Sequence, residues 1–303
     1  MSKISCFCTI LFIVFTQISF AQDDLMNMLE EETKEELGNE KVQATFKTQK
    51  LISAQTTETV KAKTLDFRIA HRFGSIGLYD IHGLHGFDFS NDIRMSFDYG
   101  ITDNLQLGIA RSKQNELIDG SIKYRLLTQT VNNKIPVSVA FLAQMAFTPQ
   151  IDPDSLYLKN VHRLSYTYQL IIARKFGPKI SVEILPTINH RNIIRKYVNN
   201  DAVEANTMLA LGAGGRFKIS PRTAILIDYF YIFSPYRQNN SGFSNPLGIG
   251  LEIETGGHVF HATLTNAAGI VESNFLPNTT ESWKGLGIKL GFNISRVFNI
   301  GKR

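Results

Sequence analysis

The chain between residues 64 and 298 consists of about twelve segments of roughly ten residues in which apolar and polar side chains alternate, with turn-forming residues between them. Because successive strand residues point to opposite faces, this alternation gives one continuous apolar face and one polar face. Repeated over so many segments, it is typical of a transmembrane β-barrel whose apolar face contacts lipid. We therefore predict an all-β fold, an antiparallel up-and-down barrel of about twelve strands with an acidic N-terminal arm.

Residues 1–21 have the features of a cleaved export signal. Lys3 provides the positive charge, an apolar run follows, and a small-x-small pattern ends at Ala21. An uncleaved anchor is disfavoured because the run is interrupted by polar residues and is shorter than the ~20 apolar residues of a span. Both cysteines, Cys6 and Cys8, lie in this signal. We therefore expect no disulfide, thiolate metal site or cysteine nucleophile in the mature chain.

Residues 22–43 form a separate acidic unit without aromatic residues. We expect a solvated periplasmic arm, and the alternative is a docking segment for a periplasmic partner. Residues 44–60 have β-propensity but a less regular alternation. Three roles stay open for them: an extra strand, a periplasmic cap, or a plug folded into the barrel lumen. Residues 22–60 are thus assigned to the arm and possible plug, and residues 61–303 to the barrel.

The glycines of the strand segments indicate which face lines the lumen. In residues 247–253 and 286–292, glycines stand on the polar side, between large apolar residues. A curved lumen tolerates small residues, whereas a lipid-facing band favours large ones. Lumen charges of both signs can orient permeating solutes, or they can pair and fill the barrel. The candidate lumen residues are Asp66, Arg68, Arg72, Asp92, Arg94, Asp98, Lys123, Arg125, Arg163, Glu183, Asp228, Glu252, Glu254 and Lys289.

The links between segments alternate in length, which is typical of outer-membrane barrels with short periplasmic turns and long outer loops. An even number of strands places both termini on the periplasmic side. If residues 44–53 also paired, a fourteenth strand would be needed, and no segment supplies it. Short links are predicted at 101–104, 132–133, 177–178, 220–221 and 256–257, and long links at 74–90, 149–158, 191–204, 236–245 and 268–282, with a short exception near 112–116.

Three short motifs resemble a known family. One ends the first barrel strand, and the others are residues 44–47 and 100–105. On these motifs the chain, from about residue 44 onward, resembles an uncharacterised outer-membrane β-barrel family of Bacteroidota, a domain-of-unknown-function group with a His-Arg-Phe-Gly motif. The resemblance implies a barrel in the outer membrane and brings no activity with it. The motif residues in this chain are His71, Arg72, Phe73 and Gly74.

The C-terminal end of the barrel indicates two kinds of partner. Phe298 lies close to the C-terminus, where many outer-membrane barrels carry an aromatic assembly signal. We therefore expect contact with the barrel-assembly machinery and with outer-membrane lipids. A lumen formed by about twelve strands has an intermediate width. Two non-enzymatic functions stay open: a narrow solute channel, and a scaffold or binding barrel with a filled lumen.

An outer-membrane lipid-modifying enzyme of the phospholipase type is the alternative function. Such barrels carry histidine and serine two residues apart on the wall, so that the imidazole can take the hydroxyl proton. The sequence contains no His-x-Ser, and the nearest match is His261-Ala262-Thr263. We place these His and Thr side chains in the lumen rather than in lipid. We therefore predict no catalytic residues.

The histidine spacing predicts no metal site. His258 and His261 are three residues apart, and on a strand this offset puts the two rings on opposite faces. His82 and His85 lie in a glycine-rich loop without a third ligand in view. The net charge of +5, or +4 without Lys3, comes with no phosphate-binding glycine loop and no basic groove with stacking aromatics. We predict no cofactor, no metal and no nucleic-acid partner.

Overall fold

The computed structural model describes residues 40–151, 155–194, 198–199, 202–238 and 240–301. The predicted export signal and most of the acidic arm, residues 1–39, lie outside the described residues. The described strands form a closed antiparallel barrel, in which the last strand pairs with the first. The predicted all-β fold is therefore confirmed.

The barrel wall has the twelve strands that the alternation predicts. Each strand pairs with its neighbours along the chain, so the topology is a simple up-and-down meander. A separate two-stranded ribbon, Val198–Asn199 with Ala202–Val203, lies in the link between the seventh and eighth wall strands. The wall strands are β1 Thr64–Ser75, β2 Ser90–Gly100, β3 Leu105–Ser112, β4 Ile118–Leu127, β5 Ser138–Phe147, β6 Leu164–Phe176, β7 Ile180–Arg191, β8 Thr207–Ser220, β9 Thr223–Phe233, β10 Leu247–Thr255, β11 His258–Thr265 and β12 Lys289–Asn299.

The outer face of the wall is apolar because most outward side chains of the strands are apolar, and many of them are large and exposed. Ile109 is 60% exposed, Ile184 is 48% exposed and Leu209 is 51% exposed. On the same face, the rings of Phe67 and Phe97 stack across β1 and β2 with centroids 4.9 Å apart. Such a band is the lipid-contacting surface of a membrane barrel. Among the described residues, no helix has the length and hydropathy needed to cross a membrane.

The connections separate the two ends of the barrel. Short turns join strands at one end, whereas most links at the other end are long. The link between β4 and β5, residues 128–137, is longer than the predicted turn, and inside it Thr130 N donates to Ile135 O at 3.0 Å. The link 113–117 is the predicted short exception. Residues 61–63 lie at the short-turn end, where Lys63 donates to Gly100 O at 2.9 Å.

Two segments enter the barrel and fill its lumen. Residues 44–60 enter from the short-turn end and supply no wall strand. The link between β11 and β12 folds in from the long-loop end and carries the helix Glu272–Asn278, here called the inward helix. Phe275 of this helix packs edge-on against Phe230 of β9, with ring centroids 5.0 Å apart. The lumen therefore contains a side-chain core of its own.

A charge introduced on the lipid-facing band should destabilise the barrel. Ile184 lies near the middle of β7, opposite the outward residues Ile172 and Ala213. We expect Ile184→Lys to lower the free energy of unfolding by about 2–4 kcal/mol, because the ammonium group must enter hydrocarbon. Urea unfolding in lipid vesicles measures this cost. Ser241→Lys, in an exposed link, is the control, and an equal cost at both positions would contradict the assignment of this face to lipid.

Candidate functional site: the filled lumen

The segment inside the lumen is folded as a tight β-hairpin, residues 49–56, here called the lumen hairpin. Lys50 and Gln55 form an antiparallel bridge, and Leu51 N donates to Ala54 O at 2.9 Å. The backbone of this hairpin satisfies many of its own hydrogen-bonding groups, which is why it can stand in the lumen without joining the wall as a strand. Its tip, residues 51–54, points its remaining amides and carbonyls at wall side chains.

Asp228 of β9 binds the tip of the lumen hairpin. Its Oδ2 atom accepts from three consecutive backbone amides, Ile52 N at 3.2 Å, Ser53 N at 2.6 Å and Ala54 N at 2.8 Å. Asp228 and Ala54 are almost fully buried. Hydrogen bonds to an ionised acceptor are stronger than neutral ones, and convergence of several amides on one oxygen is a common way to hold a carboxylate. Asp228 therefore fixes the position of the tip.

The carbonyl groups of the same tip face hydrogen-bond donors on β1 and β11. Arg72 Nη2 of β1 donates to Ile52 O at 3.0 Å. A ring nitrogen of His261 on β11 lies 3.1 Å from Leu51 O, and the other ring nitrogen lies 3.3 Å from Glu252 Oε2. The wall thus presents a carboxylate to the amide side of the tip, and a cation and an imidazole to its carbonyl side.

Lys123 of β4 holds the base of the lumen hairpin. Its Nζ atom donates to Gln49 O at 3.3 Å, Thr56 O at 3.2 Å and Glu58 O at 3.4 Å. Arg125, on the same face of β4, donates to Thr57 O at 3.1 Å. Because an ammonium has three donors, Lys123 can bridge both strands of the hairpin at once.

Wall glycines provide space for the apolar side chains of the tip. A β-carbon at Gly214 of β8 would lie 2.7 Å from Leu51 Cδ1. At Gly248 of β10 it would lie 2.9 Å from Ile52 Cγ2. Both distances are shorter than normal contacts. Leu51 and Ile52 are fully buried as a result. The glycines on the lumen face therefore leave room for the side chains of the hairpin.

The lumen hairpin and the inward helix contact each other. Lys50 Nζ lies 3.4 Å from Glu272 Oε1 and 3.5 Å from Ile270 O. Ile270 N in turn donates to Asp92 Oδ2 at 3.1 Å. Ala54 also belongs to the same apolar cluster as Phe275 of the inward helix, so the contact combines an ion pair with apolar packing.

The contacts leave little space in the middle of the lumen. One cavity, of about 30 Å³, lies between the lumen hairpin and β1 to β5, and its lining includes Gln49, Lys50 and Arg68. This volume suits a water molecule rather than a solute. Larger cavities lie at the long-loop end, one of about 440 Å³ with Arg163 and Arg191 in its lining.

The candidate lumen residues, apart from Arg163, lie on the inner face of the wall. Some contact residues 44–60. Asp66 accepts from the Gln49 amide at 2.7 Å, and Glu254 lies 2.8 Å from Lys47. Backbone groups of the same segment are bound by Arg72, Lys123, Arg125 and Asp228. Others pair within the wall. Arg94 donates to Asp119 at 2.8 Å, Arg68 lies 3.4 Å from Asp66, and Arg216 lies 2.8 Å from Glu252. The remaining inward candidates are Asp92, Asp98, Glu183 and Lys289.

Arg163 is a correction to the predicted lumen set. The alternation suggested a strand from residue 159, but Asn160–Arg163 is a 3-10 turn and β6 begins at Leu164. The Arg163 guanidinium donates to Thr148 O at 3.1 Å and Gln150 O at 2.7 Å, so it ties the outer link to the end of β5. A segment of alternating residues does not by itself show where pairing starts.

Sequence reasoning missed Glu272 and Asp119, which turn out to be buried ion partners. Glu272 lies in a long link, and links are usually solvent-exposed. A signal was nevertheless present, because the same link contains the apolar residues Ile270, Val271 and Phe275. A link with this composition is better buried than exposed to water, which would have suggested an inward fold.

The histidine-containing motifs are distributed as follows. The side chains of His261 and Thr263 are buried in the lumen, and His261 contacts Leu51. His82 and His85 are exposed in the link between β1 and β2. Among the described residues, no three His, Cys, Asp or Glu side chains gather as a metal-binding group.

Asp228→Asn should loosen the lumen hairpin, because it removes the charge that accepts three amides. The Ser53 hydroxyl makes no hydrogen bond among the described residues, and both native cysteines lie in residues 1–21, so Ser53→Cys is a suitable reporter. A loss of about 1.5–3 kcal/mol corresponds to a rise of about 10- to 150-fold in labelling by a water-soluble maleimide. Asp88→Asn, in an exposed link, is the control. Unchanged labelling in Asp228→Asn would show that Asp228 does not hold the tip.

Gly214→Val should displace Leu51 and expose the same reporter. We expect the added methyl groups to cost about 1–3 kcal/mol of hairpin docking through overpacking. Gly120→Val is the matched control, since Gly120 points outward and a β-carbon there has its nearest neighbour 3.9 Å away. Equal labelling of Gly214→Val and Gly120→Val would contradict the conclusion that Gly214 provides space for Leu51.

Comparison with known proteins identifies a family. Residues 46–298 match the family described as "Membrane bound beta barrel domain (DUF5777)", so the match includes most of the segment inside the lumen. Curated proteins give no match. Similar solved structures include the outer membrane channel COG4313 from Pseudomonas putida F1, with 14% identity, a TM-score of 0.47, and coverage of 80% of this chain and 98% of that one.

Two further similar structures are porins. The NanC porin has 8% identity and a TM-score of 0.46, with 77% of this chain and 98% of that chain covered. The KdgM porin has 8% identity and a TM-score of 0.45, with 78% and 99% covered. The closed barrel with its lipid-facing band belongs in the outer membrane. The chain is a member of the membrane-bound β-barrel domain family that its residues 46–298 match.

Proposed function

We propose that this outer-membrane protein is a non-enzymatic barrel with a filled lumen, which acts as a scaffold or binding barrel and is closed to solutes in the conformation described above. The observation that carries the proposal is the lumen hairpin, whose tip is bonded to Asp228 of β9, Arg72 of β1 and His261 of β11. A residual cavity of about 30 Å³ beside it is too small for a nutrient or metabolite.

The inward helix closes the barrel a second time. Phe275 and Leu276 are buried against wall residues such as Ile171 and Leu185. Arg237, at the long-loop end, donates to Leu276 O at 3.5 Å and lies 2.7 Å from Glu204. Besides its contacts with the lumen hairpin, the helix is thus bound to the wall and to the long-loop end. Residues 44–60 act, in this proposal, as the plug of the short-turn half, and the inward helix as the plug of the other half.

Gated solute passage is the second candidate, and a specific observation favours it. The base of the lumen hairpin is held mainly by hydrogen bonds to Lys123 and Arg125, which water can replace when the segment leaves. Residues 40–43, the described end of the arm, lie at the short-turn end and continue directly into the plug. We propose a periplasmic location for residues 22–43, where a partner could bind them.

The short motif of β1 has a structural role in this proposal. Arg72 points inward to the lumen hairpin, whereas His71 and Phe73 point outward and contact each other with ring centroids 4.2 Å apart. We infer from the resemblance that the chain belongs to the Bacteroidota group with a His-Arg-Phe-Gly motif. Arg72 would then be the position in that motif that holds the plug.

A lipid-modifying activity is not proposed. The His261 ring is buried among Leu51 and Glu252 on the lumen side, so it cannot reach a lipid ester from there. Outer-membrane lipids and the barrel-assembly machinery are the proposed partners of the wall. We propose no cofactor and no nucleic-acid partner.

Single-channel recording of the refolded mature protein tests the filled barrel. We expect no steady conductance from the full chain, because both halves of the lumen are occupied. We expect steady conductance from a variant that lacks residues 22–60 and in which a short Gly-Ser linker replaces residues 267–281. Each single change should leave the pore closed, since the other segment stays bound to the wall. Heat-modifiable mobility provides the control for folding.

The same recordings separate the two candidates. Steady conductance of the full chain would contradict the filled barrel. Conductance after removal of residues 22–60 alone would favour gated passage, with the inward helix too loosely bound to close the pore.

A further inference from the structure

The link between β1 and β2, residues 76–89, presents large apolar side chains to its surroundings. Leu78 is 68% exposed, Ile81 64%, Leu84 52% and Phe87 48%. So many exposed large apolar residues in one short link are unusual for a surface that faces only water. The link between β11 and β12 adds Leu286, 57% exposed, next to Gly77.

This link has a defined conformation that its own contacts stabilise. The rings of Tyr79 and Phe89 stack with centroids 4.0 Å apart. Asp80 accepts from His82 N at 2.9 Å and starts the 3-10 segment Ile81–Gly86. Gly86 has a φ of +94°, a conformation that favours glycine. The internal contacts therefore hold the apolar side chains outward instead of allowing them to collapse together.

The link is continuous with the lipid-facing wall. The Phe87 ring packs against Phe73 with centroids 5.2 Å apart. Phe73 is an outward residue of β1, and it also contacts the outward Phe292 of β12 at 6.2 Å. Phe87 therefore lies on the outside of the barrel, and its neighbours in the link extend the apolar surface beyond the end of β1.

A cation stands at the base of the link. Lys113 is exposed and its Nζ atom donates to Ser90 O at 2.6 Å, where the link joins β2. Apolar side chains beside an exposed lysine at a membrane boundary are typical of a segment in the interface, with the ammonium at the level of anionic headgroups.

We propose that residues 76–89 form a lipid-binding anchor, which lies on the outer leaflet and inserts Leu78, Ile81, Leu84 and Phe87 among its acyl chains. The occupant of this surface is lipid, because the surface continues the wall that lipid already covers. The anchor would fix the tilt and depth of the barrel on its β1 side. It rests on the membrane location of the barrel but not on the filled lumen.

Depth-dependent fluorescence quenching tests the anchor. The chain has one tryptophan, so Trp283→Phe gives a silent background for the reporter Leu84→Trp. The refolded protein is measured in phosphatidylcholine vesicles with plain acyl chains and with acyl chains brominated near the headgroup. An interfacial segment inserts about 5–10 Å, so we expect blue-shifted emission and strong quenching by these bromines. Ser241→Trp, in the exposed link after β9, is the matched control and should emit as in water without quenching.

Two results would overturn the proposal. Water-like, unquenched emission from Leu84→Trp would show that the link stands in solvent. Blue-shifted emission without bromine quenching that reverses on dilution of protein in lipid would assign the surface to a second copy of the chain. If the Trp283→Phe background fails to fold, Leu84→Cys carrying an environment-sensitive dye gives the same comparison with Ser241→Cys in the otherwise native chain.

Discussion

The interior of this barrel depends on the pairing between buried charges of the wall and backbone groups of the lumen hairpin. Asp228 would be an unpaired buried carboxylate without the amides of residues 52–54. Arg72 would lose its bond to Ile52 O and Lys123 its three carbonyl partners. Removing one partner of a buried charge is expensive. The hairpin and the wall therefore stabilise each other, and water must replace these hydrogen bonds when the hairpin leaves the lumen.

This pairing also explains why the tip of the plug has only uncharged side chains, three apolar and one hydroxyl. Backbone amides and carbonyls point to opposite sides of a turn, so one short segment can serve an anion and a cation at once. Leu51 and Ile52 then occupy the space above Gly214 and Gly248, and their burial adds a hydrophobic contribution. Lys50 extends the arrangement to Glu272, so the two inserted segments share one ion pair.

The outer surface follows a different rule, because lipid replaces water there. On the strands, the alternation of side chains is enough to form an apolar band, and this band needs no specific partner residues. At the long-loop end the same surface continues through Phe73 and Phe87 into the link 76–89. The molecule thus has a polar interior with specific partners and an apolar exterior whose partner is a fluid.

Much of the barrel wall could be predicted from the sequence. Period-2 alternation determines which residues of β1 to β12 face lipid and which face the lumen, because side chains of a strand alternate by geometry. The strand number, the alternating link lengths and the lumen position of residues such as Arg72, Asp228 and Lys123 follow from it. Strand starts are less certain, as Arg163 shows, because alternation can run on into a 3-10 turn.

What fills the lumen was decided only by the tertiary structure. Residues 44–60 have a composition that suits a strand, a cap or a plug, and long-range contacts with β1, β4, β9 and β11 select among these. The inward helix likewise contacts Lys50, more than two hundred residues away in the chain. Local periodicity carries the information for a two-faced sheet. The partner of each buried charge depends on which segments the closed barrel brings within hydrogen-bonding distance, and no local pattern encodes that.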